Sequence, residues 1–233
     1  MGVQLAFIVA AGSLVYAVFF APKREAANPP AGANASRRGE VPIPATPISL
    51  QGAALRGSDT AKIVILEYSD VQCPYCGKFA RETFGQLDAK YINTGQVKFA
   101  FRHLPLGNHK DAQKAAEALE CARDKGRFWD LHDRLFLNQE RIGLSELPSH
   151  AEAVGLAPAD FAACIGGSKA THVSADAESA KLLGIRVTPT FMLGTMQPDG
   201  LVRIKRAFAG AVPLANFEKA IIELGGTNLV GSN

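Results

Sequence analysis

The sequence is poor in cysteine and in net charge, and each shortage excludes a class of protein. Four cysteines in 233 residues are too few for a scaffold built on disulfides, so each must be weighed as a catalytic, metal-binding or isolated structural group. The formal net charge is only +3, and the basic residues are dispersed apart from short clusters such as Lys23-Arg24, so we expect no nucleic-acid partner. With 47% hydrophobic residues, the chain should fold as a globular protein of one or two domains.

The N-terminal segment Val3 to Ala21 is uncharged and approaches the roughly 20 residues that span a bilayer. It lacks the positive start of a secretory signal, and the small-residue motif Ala33-Asn34-Ala35 lies far beyond it. Residues 1–21 are therefore predicted to form a retained transmembrane anchor, with a cleaved signal or a buried helix as alternatives. The basic pair that follows the segment would by itself keep the domain in the cytoplasm, whereas the cysteine chemistry favours export.

Composition divides the rest of the chain. Residues 22–47 are rich in Ala and Pro and lack apolar periodicity, which is typical of an extended linker. A single domain is predicted for residues 48–225, followed by a short tail at 226–233. Within this domain, residues from about 108 to 184 have helical character, in segments that end near Gly126, Asn138, Gly155 and Gly184.

The parts of the domain on either side of this helical region carry strand patterns. The β-branched run Lys62 to Tyr68, helical spacing from Cys73 to Leu87 and a second run from Gln96 to His103 predict a βαβ unit with parallel strands. Two short runs, Thr190 to Leu193 and Leu201 to Ala207, predict a hairpin that precedes a final helix. The expected fold class is α/β.

The strongest chemical signal is Cys73-Pro74-Tyr75-Cys76, which directly follows a predicted strand and begins a helix. Free backbone N–H groups at a helix N-terminus favour a thiolate, so we expect Cys73 to be the nucleophile. Cys76, one turn further on the apolar face, should be the shielded resolving thiol. Pro74 suits the first turn of a helix, where no hydrogen bond is lost. The competing hypothesis is half of a zinc site, but no paired ligands accompany the motif, so we expect no metal.

Two segments resemble the DsbA-like thioredoxin-fold family: the ten residues from Glu67 to Cys76, and Val187-Thr188-Pro189-Thr190-Phe191. The region Phe101 to Gln139 also resembles the helical insertion of its bacterial members. The resemblance implies a thioredoxin fold with a helical subdomain inserted between the βαβ and ββα halves.

Several residue roles are implied by this resemblance. Thr188 and Pro189 match a loop with a cis proline that lies against the active-site cysteines and binds an extended substrate peptide. Glu67 matches a buried acid that exchanges a proton with the resolving thiol, although a glutamate late in a strand can also face solvent. Tyr75 stands where the strongest oxidants of the family have a histidine, which implies a milder oxidant.

Cys121 and Cys164 both fall in the predicted helical insertion. Because exported proteins rarely leave two thiols unpaired, we expect a structural disulfide between them, the alternative being two buried free cysteines.

The resulting functional hypothesis is a protein-disulfide oxidoreductase that donates disulfides to exported proteins and needs no cofactor. Its expected partners are exported protein thiols or disulfides, a membrane-bound redox partner and, through residues 3–21, the inner membrane. An extracytoplasmic reductase or isomerase is the alternative, and a metal chaperone on the same fold is a third hypothesis.

Overall fold

The computed structural model describes residues 41–167 and 169–227. The predicted anchor at residues 1–21 lies outside the described residues, as do most of the linker and most of the tail. No helix within the described ranges has the length and apolar character needed to span a membrane.

A five-stranded mixed sheet forms the centre of the domain. Its strands are β1 (Ala54–Arg56), β2 (Ile63–Ser69), β3 (Val97–His103), β4 (Thr190–Met196) and β5 (Val202–Ala209). The spatial order is β1-β3-β2-β4-β5, with β2 and β3 parallel and the other neighbours antiparallel. The parallel pair and the C-terminal hairpin confirm the predicted βαβ and ββα halves.

The helices occupy both faces of the sheet. The first, α1, spans residues 74–92 and consists of α-helical Pro74–Phe79 and Gly85–Leu87, each followed by a π-helical turn, Ala80–Phe84 and Asp88–Ile92. The others are α2 (Ala112–Arg123), α3 (Phe128–Leu137), α4 (Leu147–Ala153), α5 (Pro158–Ile165), α6 (Lys169–Leu182) and α7 (Leu214–Glu223). The five helices α2 to α6 lie between β3 and β4 in sequence and form the predicted helical insertion.

Strand β2 separates two apolar cores because successive side chains point to opposite faces of a sheet. Ile63 and Ile65 pack into a core that also holds Cys73, Cys76 and residues of α1, α7 and the helical insertion. Val64, Leu66 and Tyr68 pack on the other face, against α6. The alternation therefore decides which residues of β2 can reach the cysteines.

Two features of the fold differ from the sequence prediction. Strand β1 was not predicted, because Ala54-Leu55-Arg56 is too short for a period of two to be visible; it is held by pairing with β3 and by Trp129 Nε1, which donates to the Leu55 carbonyl at 2.9 Å. The predicted helical segment that ends near Gly184 is divided into α5 and α6 around Gly166 and Gly167.

Candidate active site

The Cys73 thiol lies at the junction between β2 and α1. Cys73 is the N-cap residue of α1, with extended backbone angles (φ −69°, ψ 123°), and Pro74 is the first helical residue. The Cys73 carbonyl accepts the first helical hydrogen bond from Gly77 N at 3.0 Å. The free N–H groups of the first turn are therefore directed towards the Cys73 sulfur.

This position gives Cys73 an acidic thiol. Contact with Cys76 lowers the pKa of Cys73 from 9.0 to about 5, assisted by Thr188 and by the backbone N–H groups of Cys76 and Tyr75, while burial acts in the opposite direction. In the thiol form, Cys73 Sγ donates to the Thr188 carbonyl at 3.5 Å. Cys73 therefore carries a thiolate at neutral pH.

Cys76 and Glu67 behave in the opposite way. Cys76 is 1% exposed, and burial, contact with Cys73 and the charge of Glu67 raise its pKa well above 9. Glu67 is 2% exposed; burial raises its pKa to about 8, the charge of Cys73 adds to the rise, and Ser69 opposes it. The burial expected for Glu67 is confirmed. At neutral pH Cys76 is therefore a thiol, and Glu67 is a neutral carboxylic acid.

The loop before β4 closes the site from the opposite side. The Thr188–Pro189 peptide bond is cis, as predicted, and both residues are buried. Thr190 Oγ1 donates to the Val187 carbonyl at 2.7 Å, which fixes the turn. The side chains of Tyr75, within the Cys73–Cys76 motif, and of Val187, directly before Thr188, are 64% and 53% exposed.

Gln139, which the sequence analysis did not identify, holds the active-site loop. It lies in a 3-10 turn (Gln139–Arg141) after α3, and its Nε2 donates to the carbonyls of Val71 at 2.7 Å and Cys73 at 2.9 Å. A Cβ added at Gly77 would collide with the Gln139 side chain, so the glycine after Cys76 permits this approach. The only sequence signal for the contact is that glycine.

Asp70 organises the same loop from within and was also not identified. It is 2% exposed, and its carboxylate accepts hydrogen bonds from Gln72 N at 2.7 Å, Leu106 N at 2.8 Å and His109 Nδ1 at 2.8 Å. Its own N–H donates to Cys76 Sγ at 3.5 Å. An acid directly after a buried strand was the available signal, but its partners Leu106 and His109 lie more than thirty residues away in sequence.

The second cysteine pair lies apart from this centre. Cys121 on α2 and Cys164 on α5 are joined by a disulfide with an S–S distance of 2.04 Å, which confirms the predicted pairing. Within the described residues, no group of three or more His, Cys, Asp and Glu side chains is arranged to hold a metal ion.

The chain resembles one protein-family model and several solved structures. The thioredoxin family model matches residues 49–207. Among solved structures, alpha-DsbA1 of Wolbachia pipientis is 25% identical, with a TM-score of 0.67 over 76% of this chain and 92% of that one. Oxidised BdbD of Bacillus subtilis is 22% identical, with a TM-score of 0.66 over 79% of this chain and 99% of that one, which shows a shared fold.

Sequence comparison also finds a relative of a different kind. A Na(+)/H(+) antiporter NhaA 1 of Salinispora arenicola is 34% identical over 163 residues, which are 69% of this chain. The chain spans only 24% of the antiporter's length.

Proposed function

Because the chain belongs to the thioredoxin family, we propose that it is a protein-disulfide oxidoreductase that exchanges a Cys73–Cys76 disulfide with thiols of other proteins. The observation that carries the proposal is the pairing of an acidic thiol, Cys73, with a shielded and weakly acidic one, Cys76, beside a cis-proline loop. Ion antiport is not part of the proposal, because the chain spans so little of the antiporter.

The first step of the proposed reaction is attack of a substrate thiolate on Cys73 Sγ of the disulfide form. A bond forms between the substrate sulfur and Cys73, and Cys76 leaves as a thiolate. Since the pKa of Cys76 is raised well above 9, this thiolate takes up a proton, and Glu67 is the buried acid placed to supply it.

In the second step, another substrate thiolate attacks the mixed disulfide and Cys73 leaves. The low pKa of Cys73 makes it a good leaving group, so release of the oxidised substrate is favoured. Two electrons have then passed from the substrate dithiol to the Cys73–Cys76 pair, which a membrane-bound redox partner would reoxidise.

The low pKa of Cys73 supports a disulfide donor rather than a reductase. Anything that stabilises the thiolate stabilises the dithiol form and makes the disulfide more oxidising. A pKa of about 5 lies between the values of roughly 3.5 and 7 found in strong oxidants and in reductases of this fold. Because Tyr75 supplies no imidazolium charge, we propose an oxidant of intermediate strength.

The proposed location is outside the cytoplasm, with residues 3–21 as an inner-membrane anchor and exported proteins as substrates. The Cys121–Cys164 disulfide supports this location, since structural disulfides persist in oxidising compartments. The long uncharged segment at the N-terminus supports the anchor.

The test is the reduction potential of the Cys73–Cys76 pair in the full-length chain, equilibrated with glutathione and dithiothreitol buffers. A potential of about −120 to −180 mV is expected for a disulfide donor, whereas one of about −270 mV would make the protein a reductase. Tyr75→His serves as a matched variant and should make the potential less negative, because an imidazolium would stabilise the thiolate further. Absence of exchange with either buffer would refute the proposal altogether.

A further inference from the structure

Four buried side-chain atoms have no partner at hydrogen-bond geometry in the described part of the chain: Thr188 Oγ1, Glu120 Oε2 and, in adjacent strands behind the active site, Ser69 Oγ and His103 Nδ1. Ser69 and His103 are each 1% exposed. Buried polar groups are nearly always hydrogen-bonded, directly or through ordered water, so two such atoms in adjacent strands call for an explanation.

The two residues are neighbours in the sheet. Ser69 on β2 is the register partner of His103 on β3, and paired residues of parallel strands lie about 4.8 Å apart with side chains on the same face. By the alternation of β2, Ser69 shares the face of Ile63 and Ile65, which is the face that holds the cysteines. One bound water is enough to join a hydroxyl to an imidazole nitrogen at this spacing.

At one end, this pair adjoins the proton donor of the redox site. Glu67 precedes Ser69 by two positions on the same face of β2, and the backbone N–H of the next residue, Asp70, donates to Cys76 Sγ. Burial raises the pKa of both Glu67 and Cys76, and Ser69 lowers each of them, which places its hydroxyl within reach of both groups.

At the other end, the pair leads to solvent through a chain of polar side chains. His103 Nε2 lies 2.9 Å from Glu120 Oε1, and Glu120 is itself 1% exposed. The second oxygen, Glu120 Oε2, forms an ion pair with Arg123 and lies 3.6 Å from His172 Nε2. The His172 side chain is 29% exposed, so the chain reaches the surface on the side of α2 and α6.

We propose that Ser69 and His103 carry protons between Glu67 and Glu120, so that Cys76 exchanges its proton with solvent at His172. The inference rests on the proposed function: when Cys76 leaves as a thiolate it takes the Glu67 proton, and the Glu67 carboxylate is then reprotonated along this path. When the dithiol is reoxidised, the same proton returns in the reverse direction. Ser69 and His103 are positioning residues, since they act through Glu67.

The active site requires a route by which Glu67 regains its proton without meeting solvent directly. During the exchange a substrate covers the Cys73 side, and Glu67 is too deeply buried to meet solvent directly. The register partner of Glu67 on β3 is Phe101, which cannot carry a proton. On the face of β2 that carries Glu67, the next register pair is Ser69 with His103, and both of its side chains are polar.

The decisive comparison is Ser69→Thr against Ser69→Val in the full-length chain. The two variants have nearly the same shape and differ in the hydroxyl. Oxidised protein held at about pH 10, where Glu67 is ionised, would be mixed with dithiothreitol at pH 7, so that Glu67 must regain its proton before it can protonate Cys76. Reduction of the Cys73–Cys76 disulfide would be followed by acid quench and mass spectrometry, in H₂O and in D₂O. Ser179→Ala is the control, since this hydroxyl bonds Tyr68 on the opposite face of the sheet.

We expect Ser69→Thr to keep the wild-type rate and Ser69→Val to fall to the rate of Glu67→Gln. Of the two Ser69 variants, only Ser69→Val should show a raised ratio of rates in H₂O and D₂O, because reprotonation of Glu67 becomes rate-limiting. The double variant Glu67→Gln/Ser69→Val should be no slower than Glu67→Gln. Equal rates and isotope effects in the Thr and Val variants, with the wild type active, would overturn the path.

His103→Gln provides a second measurement if a Ser69 variant fails to fold. Glutamine can replace the hydrogen bond to Glu120 but does not accept and release a proton as imidazole does. A slower rate with a raised isotope effect and an unchanged unfolding midpoint supports the path, and wild-type kinetics refute it. A wild-type chain without any exchange activity would instead refute the proposed function.

Discussion

Cys73 and Cys76 are three positions apart at the start of one helix, whereas Cys121 and Cys164 are 43 residues apart and join two helices of the insertion. In this structure the first pair consists of free thiols and the second pair is a disulfide. Both pairs belong to the same apolar core. The two pairs therefore share a core, and their different chemistry depends on the immediate surroundings of each sulfur.

The difference comes from what surrounds each sulfur. Contact with Cys76 lowers the pKa of Cys73, assisted by Thr188 and by the free N–H groups of the helix N-terminus. Cys121 lies inside α2, where the backbone N–H groups are already bonded to carbonyls. The acidity of Cys73 thus follows from its neighbouring thiol and from its place at a helix start, because burial alone raises a thiol pKa.

Loss of one redox sulfur should have the largest effect on the comparison. Cys73→Ser removes the atom that forms the mixed disulfide, so oxidation of a reduced peptide substrate should fall to the uncatalysed background. The test is the rate of peptide oxidation followed by mass spectrometry. Residual catalysis above background would mean that another cysteine acts as nucleophile.

Removal of the other pair should affect stability and leave exchange intact. The double variant Cys121→Ala/Cys164→Ala opens a loop of 43 residues, for which chain entropy predicts a loss of about 4 kcal/mol in the free energy of unfolding. Urea unfolding measures the loss, and the exchange rate of Cys73 should match that of the wild type. A parallel fall in exchange rate would show that the two pairs are not independent.

The pH dependence of alkylation separates the two thiols of the redox pair. With a pKa of about 5, the Cys73 thiolate forms as pH rises through 5, so at pH 7 its thiolate fraction should be about 10²-fold larger than that of a thiol of pKa 9. Because the folded pKa is depressed, the corresponding stabilisation of the dithiol form is complete above pH 9 and is lost as pH falls through 5.

Iodoacetamide labelling between pH 3 and pH 9, with the modified cysteine identified by mass spectrometry, provides the measurement. Cys76 should remain unlabelled over this range. A midpoint for Cys73 near 9 would contradict the proposed lowering of its pKa by Cys76, Thr188 and the helix N-terminus.

The smallest expected effect concerns Gln139, through which the helical insertion contacts the active-site loop. Gln139→Leu removes two hydrogen bonds to the backbone carbonyls of Val71 and Cys73, which should cost about 1 to 2 kcal/mol of stability and shift the reduction potential of the redox pair. Gln86→Leu on α1 is the matched control, since Gln86 bonds an exposed carbonyl of its own helix. Equal potentials in the two variants would show that the insertion does not hold the redox loop.

Much of the fold follows from local patterns. The β-branched run that ends at Tyr68 and the proline after Cys73 predicted a strand and a helix start because each pattern lies within one element. Strand β1 could not be predicted, since its three residues are held by β3 and Trp129 rather than by any pattern of their own. The division between α5 and α6 falls at Gly166 and Gly167, and paired glycines are a local signal for the end of a helix.

The sequence by itself determined the identity of the redox pair, the helix start that activates Cys73 and the cis-proline motif, because these depend on residues adjacent in the chain. Only the tertiary structure decided which residues meet the sulfurs from elsewhere: Gln139 from the insertion, His109 through Asp70, and His103 beside Ser69. The physical reason is that burial and hydrogen bonding act through space, and a pattern along the chain carries no record of distances between distant segments.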